Sequence, residues 1–212
     1  MKTDALIALL SEVQAPVDRG RLERALAIAV AAGLVIATAL VLMTVGARED
    51  LAAALRRPPV WLKHGFTLFL LVVAALAYRE ALRPAAGEGR ALWPAFAFAA
   101  IGLIAGVQLV LTAPAEWSAL VFGQNWRYCL LYVPLYAAIP FAALIAAGRA
   151  GAPVKLRRAG ALAGCLAGAL GAAGYAIHCT DDTAPFLFVW YGLAILAVTL
   201  LGALMGPRLL RW

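Results

Sequence analysis

The sequence predicts an all-α integral membrane protein with six transmembrane helices and both termini on the cytoplasmic side. Three observations predict it. Of the 212 residues, 65% are hydrophobic and 14% charged, whereas a soluble domain is nearer half apolar and a quarter charged. Six stretches meet or approach the ~20 apolar residues that a helix needs to cross the hydrocarbon core. Those stretches are continuously apolar and do not alternate, which argues for helices and against barrel strands.

The first segment, residues 1–24, precedes the spans and reads MKTDALIALLSEVQAPVDRGRLER. Thr3 or Asp4 caps a helix start. Leu6, Ile7, Leu9, Leu10 and Val13 then recur at helical spacing. Asp4, Ser11, Glu12 and Gln14 supply a polar side, and Pro16 stops the helix. Such a short amphipathic helix is marginal alone in water. It needs a surface: the inner leaflet or a groove on a cytoplasmic partner. The residues alone point to the membrane surface.

The second unit, residues 25–212, holds the six spans. Ala25–Ala47 is uncharged. The outer loop REDLAAALRRPPV predicts a short interfacial helix before Pro58-Pro59. Val60–Tyr78 follows, with Lys63 and His64 near its start. Ala91–Ala115 has a single amide, Gln108. Tyr128–Gly148 is uncharged but contains Pro134 and Pro140, which predict kinks. Ala159–Thr180 carries Gly160, Gly164 and Gly168 four apart on one face, a pattern that lets helix backbones approach closely in lipid. Thr183–Pro207 closes the set. There is no cleavable-signal pattern at the N-terminus.

Orientation follows from Lys and Arg counts. With the N-terminus inside, thirteen lie on the inner side and five on the outer, which satisfies the positive-inside rule. The net charge of +7 then reflects topology and attraction to anionic lipid. It gives no reason to expect direct nucleic-acid binding.

The reactive residues gather at the outer ends of the spans. Cys129 opens the fourth, and Cys179 closes the fifth beside His178. Asp181 and Asp182 form the next turn, and His64 lies about one turn into the second span. Cys165, deep among glycines, reads as a buried inert thiol. For Cys129 and Cys179 three readings stay open. A structural disulfide would close a loop of about 50 residues and stabilise by roughly 4 kcal/mol in the chain-entropy model. A responsive pair would be tuned by the neighbouring imidazole. A metal site would draw on Cys129, Cys179, His178 and His64, with Asp181 or Asp182 as hard alternatives, though no CxxC or HxxxH spacing supports it. Lys63 would be costly unpaired, and Asp181 or Asp182 is placed to neutralise it. No nucleophile elbow, HExxH or phosphate loop is present, so no catalytic residue is assigned. The apolar midplane disfavours a small-solute permease. A membrane thiol–disulfide carrier would usually need a second cysteine pair or a bound cofactor.

Six segments carry a family resemblance: MKTDALIALL, PPVWLK, NWRYCLLYVPL, IHCTDDTAPF, WYGLAI and RLLRW. Together they resemble the NrsF family, and IHCTDDTAPF is the most specific of them. The resemblance implies a six-span anti-sigma factor of the bacterial inner membrane and no enzyme activity. It implies that the N-terminal segment holds an extracytoplasmic-function sigma factor, through Leu6, Ile7, Leu9, Leu10 and Val13. It implies that Cys129 and Cys179 sense a periplasmic signal, an oxidant or a heavy-metal ion bound transiently, as part of a stress response. Cys165 matches no position of the family pattern.

Overall fold

The structure is a computed structural model that describes residues 20–84 and 89–211. The proposed partner-docking residues Leu6, Ile7, Leu9, Leu10 and Val13 lie outside the described residues. Among those described, the chain is helical throughout and has no strand. The six long helices are α1 (Arg21–Thr44), α2 (Pro58–Ala81), α3 (Trp93–Val110), α4 (Trp126–Gly148), α5 (Leu156–Tyr175) and α6 (Ala184–Leu209).

The helix starts follow from local chemistry. Prolines stand in the first turns of α2, α3 and α6, where the missing N–H would have had no intrahelical partner. Thr183 caps α6 by accepting from the Phe186 amide. The connection between α1 and α2 forms one helical turn, Leu51–Ala54. A second short helix, Trp117–Phe122, precedes α4. It is pinned over the start of α6 by Thr183 donating to the Leu120 carbonyl and by the Trp190 indole donating to the Val121 carbonyl. α4 runs without a break through Pro134 and Pro140.

Five of the six helices, all but α5, are long and apolar enough to cross a membrane. α5 falls short because it alternates alanine with glycine and begins with Arg157 and Arg158. It is instead the hub of the bundle. α6, α4, α2 and α1 all pack on it, and every residue from Leu162 to Tyr175 is buried. Small residues on several faces make this possible. A Cβ on Gly160 would stand 2.2 Å from the Gly202 carbonyl oxygen of α6, and one on Gly164 2.3 Å from that of Val198. A Cβ on Gly168 would meet Ile195 at 3.1 Å. On other faces, Gly171 abuts the Val133 carbonyl of α4 and Gly174 abuts Ala37 of α1. α3 stands at the edge, against α2 and the start of α6.

Polar contacts fix the rest. Tyr78 donates to the Leu144 carbonyl at 2.9 Å, joining α2 to α4. The hydroxyls of Thr44 and Tyr136 lie 2.6 Å apart, joining α1 to α4. At the opposite end, Glu23 of α1 pairs with Arg79 and with Arg83, each at 2.6 Å.

Candidate functional site

The site is built where α5 unwinds and α4 begins. The last turn of α5 loosens at Ile177 and His178, whose amides bond back to Gly174 and Tyr175. The amide of Cys179 also donates to the Tyr175 carbonyl, at 3.1 Å. Cys129 lies in the first turn of α4, its amide bonded to the Asn125 carbonyl. Both side chains are fully buried, and the two thiols are close neighbours. All three cysteines are free thiols. Cys165 is buried on α5, well within the helix.

Aromatic rings enclose the pair. Tyr132, Tyr136 and Tyr191 surround Tyr175 with centroid separations of 5.9, 6.4 and 6.3 Å. The Tyr175 and Tyr191 hydroxyls are buried without a hydrogen-bond partner among the described residues. In such a dry pocket, ionising either thiol without a compensating cation would be costly.

That cation is present. Lys63 has no solvent exposure. Its ammonium group donates to the Cys179 carbonyl at 2.6 Å and pairs with Asp182. Arg48, also buried, donates to the same carbonyl at 3.3 Å and to Asp182 at 2.9 Å. Its Nε pairs with Asp50 at 2.6 Å, and Asp50 pairs in turn with Arg57. Burial tends to lower the Arg48 pKa, but the Asp50 and Asp182 carboxylates outweigh it and raise the value. Asp50 is held below the usual carboxylate range, foremost by the hydrogen bond from Arg48. The buried charges are therefore paired and hydrogen-bonded, as burial requires.

The two aspartates divide their work. Asp182 takes the cations. Asp181 accepts from the backbone amides of Gln124 and Asn125 at 3.1 and 2.8 Å, and from the Asn125 side chain at 3.0 Å. It therefore binds the N-terminus of α4, where a carboxylate is favoured by the helix dipole. Towards Lys63 it offers only its backbone carbonyl, at 3.4 Å. Gly123 makes the approach possible. Its φ is +53°, and a Cβ there would stand 2.5 Å from an Asp181 carboxylate oxygen.

The histidines are placed apart from the thiols' immediate contacts. His178 donates from Nδ1 to the Gly46 carbonyl at 3.1 Å. His64 is half-buried on α2, next to Lys63. Among the described residues, no three His, Cys, Asp or Glu side chains converge in a way that could hold a metal ion. The structure thus joins Cys129, Cys179, Lys63, Asp181 and Asp182 in one cluster and leaves both histidines at its margin. Sequence reasoning missed Arg48, Asp50, Asn125 and the tyrosine cage. Arg48 directly follows the apolar run Ala25–Ala47, which is the signal that could have found it. Gln108 also has a partner that sequence reasoning did not find: its side-chain oxygen accepts from the Ala184 amide at 3.0 Å.

A family model described as NrsF, negative regulator of sigma F, matches residues 10–212. The chain belongs to the NrsF family. Two NrsF relatives align along their whole length and the whole of this chain. The probable anti-sigma-F factor NrsF of Azospira oryzae is 35% identical over 216 residues. The anti-sigma-F factor NrsF of Caulobacter vibrioides is 36% identical over 217 residues. No solved structure matches the chain. The resemblance read from IHCTDDTAPF and its companion segments is therefore a true family relationship. In this NrsF chain, Cys179, Asp181 and Asp182 of that motif are all engaged with other elements.

Proposed function

We propose that this protein is a membrane-bound anti-sigma factor that captures an extracytoplasmic-function sigma factor and releases it on an extracytoplasmic signal. The full-length identity to two anti-sigma-F factors is the observation that carries this reading. Residues 1–24 form the sigma-binding segment, with Leu6, Ile7, Leu9, Leu10 and Val13 as its face. Residues 25–212 form the membrane domain in the bacterial inner membrane, with both termini cytoplasmic. α5 is the fifth span, and its burial among the other helices explains how a helix of low hydropathy sits there.

Cys129 and Cys179 are the sensor in this reading, and their proximity supports it. Two outcomes are open to adjacent thiols. A two-electron oxidant takes two electrons from the pair, which becomes a disulfide and releases two protons. A thiophilic heavy-metal ion displaces the same two protons and is held by both sulfurs. Either changes the spacing of α4 against the end of α5. Lys63 and Arg48 pass that change to α2 and α1, since both hold the Cys179 carbonyl. A hundredfold change in sigma-factor affinity requires a coupling of about 2.7 kcal/mol between the two sites.

The test is a pull-down in detergent of the full chain, and of a version lacking residues 1–15, with the sigma factor encoded nearby. Binding by the full chain alone supports the proposal. Binding by neither overturns it and leaves the cysteines to be assayed as a thiol–disulfide carrier.

A further inference from the structure

A groove of about 580 Å³ lies between α3 on one side and α5 and α6 on the other. Phe98, Leu162, Leu193 and Leu196 line its walls. Leu193 and Leu196 are 46% and 48% exposed, so in a membrane the groove opens on lipid. At one end it is lined by Arg158, in the first turn of α5. That is the end where α3 and α5 begin and α6 finishes, hence the level at which the helices leave the hydrocarbon. Other cations stand at this level. Lys155 and Arg157 are exposed, and the Arg90 guanidinium lies 5.2 Å from the Trp93 ring centroid while pairing with Glu80. The N-terminus of α5, a helix of 20 residues, adds the positive end of its dipole.

An apolar groove that ends in a guanidinium matches a molecule with an acyl chain and a phosphate. Basic pockets between transmembrane helices on the cytoplasmic side are known sites for anionic head groups. We propose that this groove binds an anionic phospholipid, with one acyl chain along Phe98, Leu162 and Leu196 and the phosphate at Arg158. The site rests on the membrane topology proposed above and is independent of sigma-factor binding. A helix of a second copy fits less well, because an apolar helix face offers nothing to the arginine end.

The full-length protein, reconstituted in phosphatidylcholine vesicles, is given trace spin-labelled phosphatidylglycerol or spin-labelled phosphatidylcholine. The immobilised fraction of each label is read by electron paramagnetic resonance. The intact protein should prefer phosphatidylglycerol. Arg158→Gln should lower that preference about fivefold, the effect of one basic residue at a membrane surface. Arg158→Lys should largely retain it. Ala161→Trp, which fills the groove, should reduce the immobilised phosphatidylglycerol in a protein whose circular dichroism is unchanged. If Arg158→Gln fails to fold, Arg158→Lys and Ala161→Trp decide. Equal retention of the two lipids by intact protein overturns the proposal. So does an unchanged preference in Arg158→Gln, full displacement by inorganic phosphate, or a dimer that Ala161→Trp dissociates with no lipid preference in either state.

Discussion

The Lys63 ammonium group, completely shielded from solvent, donates to the main-chain carbonyl of Cys179 from 116 residues away. One end of α2 is thereby tied to the backbone of the residue whose thiol neighbours Cys129. Replacing Lys63 by Met should strip Asp182 of one cation and cost ~3–5 kcal/mol, the usual penalty for breaking a buried pair. Lys63→Met combined with Asp182→Asn should recover part of that loss. Thermal unfolding of the four proteins of the cycle in one detergent measures the coupling.

The two neighbouring thiols should oxidise to an intramolecular disulfide. Treatment of the folded protein with a mild two-electron oxidant should remove two maleimide-reactive thiols, counted by mass after denaturation. Cys165 should remain labelled, because it lies well within α5, away from the other two thiols. In cells, Cys129→Ser and Cys179→Ser should each abolish the signal response, read by a sigma-dependent reporter. A normal response in both variants would remove the cysteines from the mechanism.

The contact between α5 and α6 leaves no room for a methyl group at its centre. Gly164→Ala should cost ~1–3 kcal/mol through overpacking, since its Cβ would press on the Val198 carbonyl and the Thr199 backbone. Gly65→Ala is the control. Nothing lies within 4 Å of its Cβ position, so the substitution should be neutral or favourable by about 0.5–1 kcal/mol, as in other helix interiors. Melting temperatures of the two variants should move in opposite directions or differ clearly in size.

The Arg48–Asp50–Arg57 cluster sets a pH dependence. Asp50 has a lowered pKa in the folded protein. Its contribution is therefore fully present above the unfolded value of about 3.9. It is lost as pH falls through the lower folded value. The α1–α2 connection around Leu51–Ala54 should keep its hydrogen-exchange protection from neutral pH down to about pH 4 and lose it below. In Asp50→Asn this acid step should be absent.

Much of the architecture was readable because continuous apolar runs are long and unambiguous. The span expected at Ala25–Ala47 lies at Arg21–Thr44, and that expected at Tyr128–Gly148 lies at Trp126–Gly148. The small shifts arise where charged residues such as Arg21 and Arg24 extend a helix past its apolar core. The glycine series of α5 was legible for the same reason, being a periodic pattern. The partnerships were not legible. Arg48 and Asp182 are 134 residues apart, and no local spacing encodes such a pairing. The separate tasks of Asp181 and Asp182 depend on where the start of α4 lands in space. The tyrosine cage hides in sequence because Tyr175 and Tyr191 look like ordinary apolar positions.

The burial of α5 has a consequence for biogenesis. In the proposed topology this segment enters the bilayer with a weak hydropathic signal and with arginines at its leading end. Its suitability for that environment comes from partners, of which α1, α2 and α4 are synthesised before it and α6 after it. In that topology, insertion of α5 would depend on the earlier segments waiting as a receptive surface. Membrane integration would then be an ordered assembly, in which a defect in α1 or α2 would surface as a failure to retain a helix made much later.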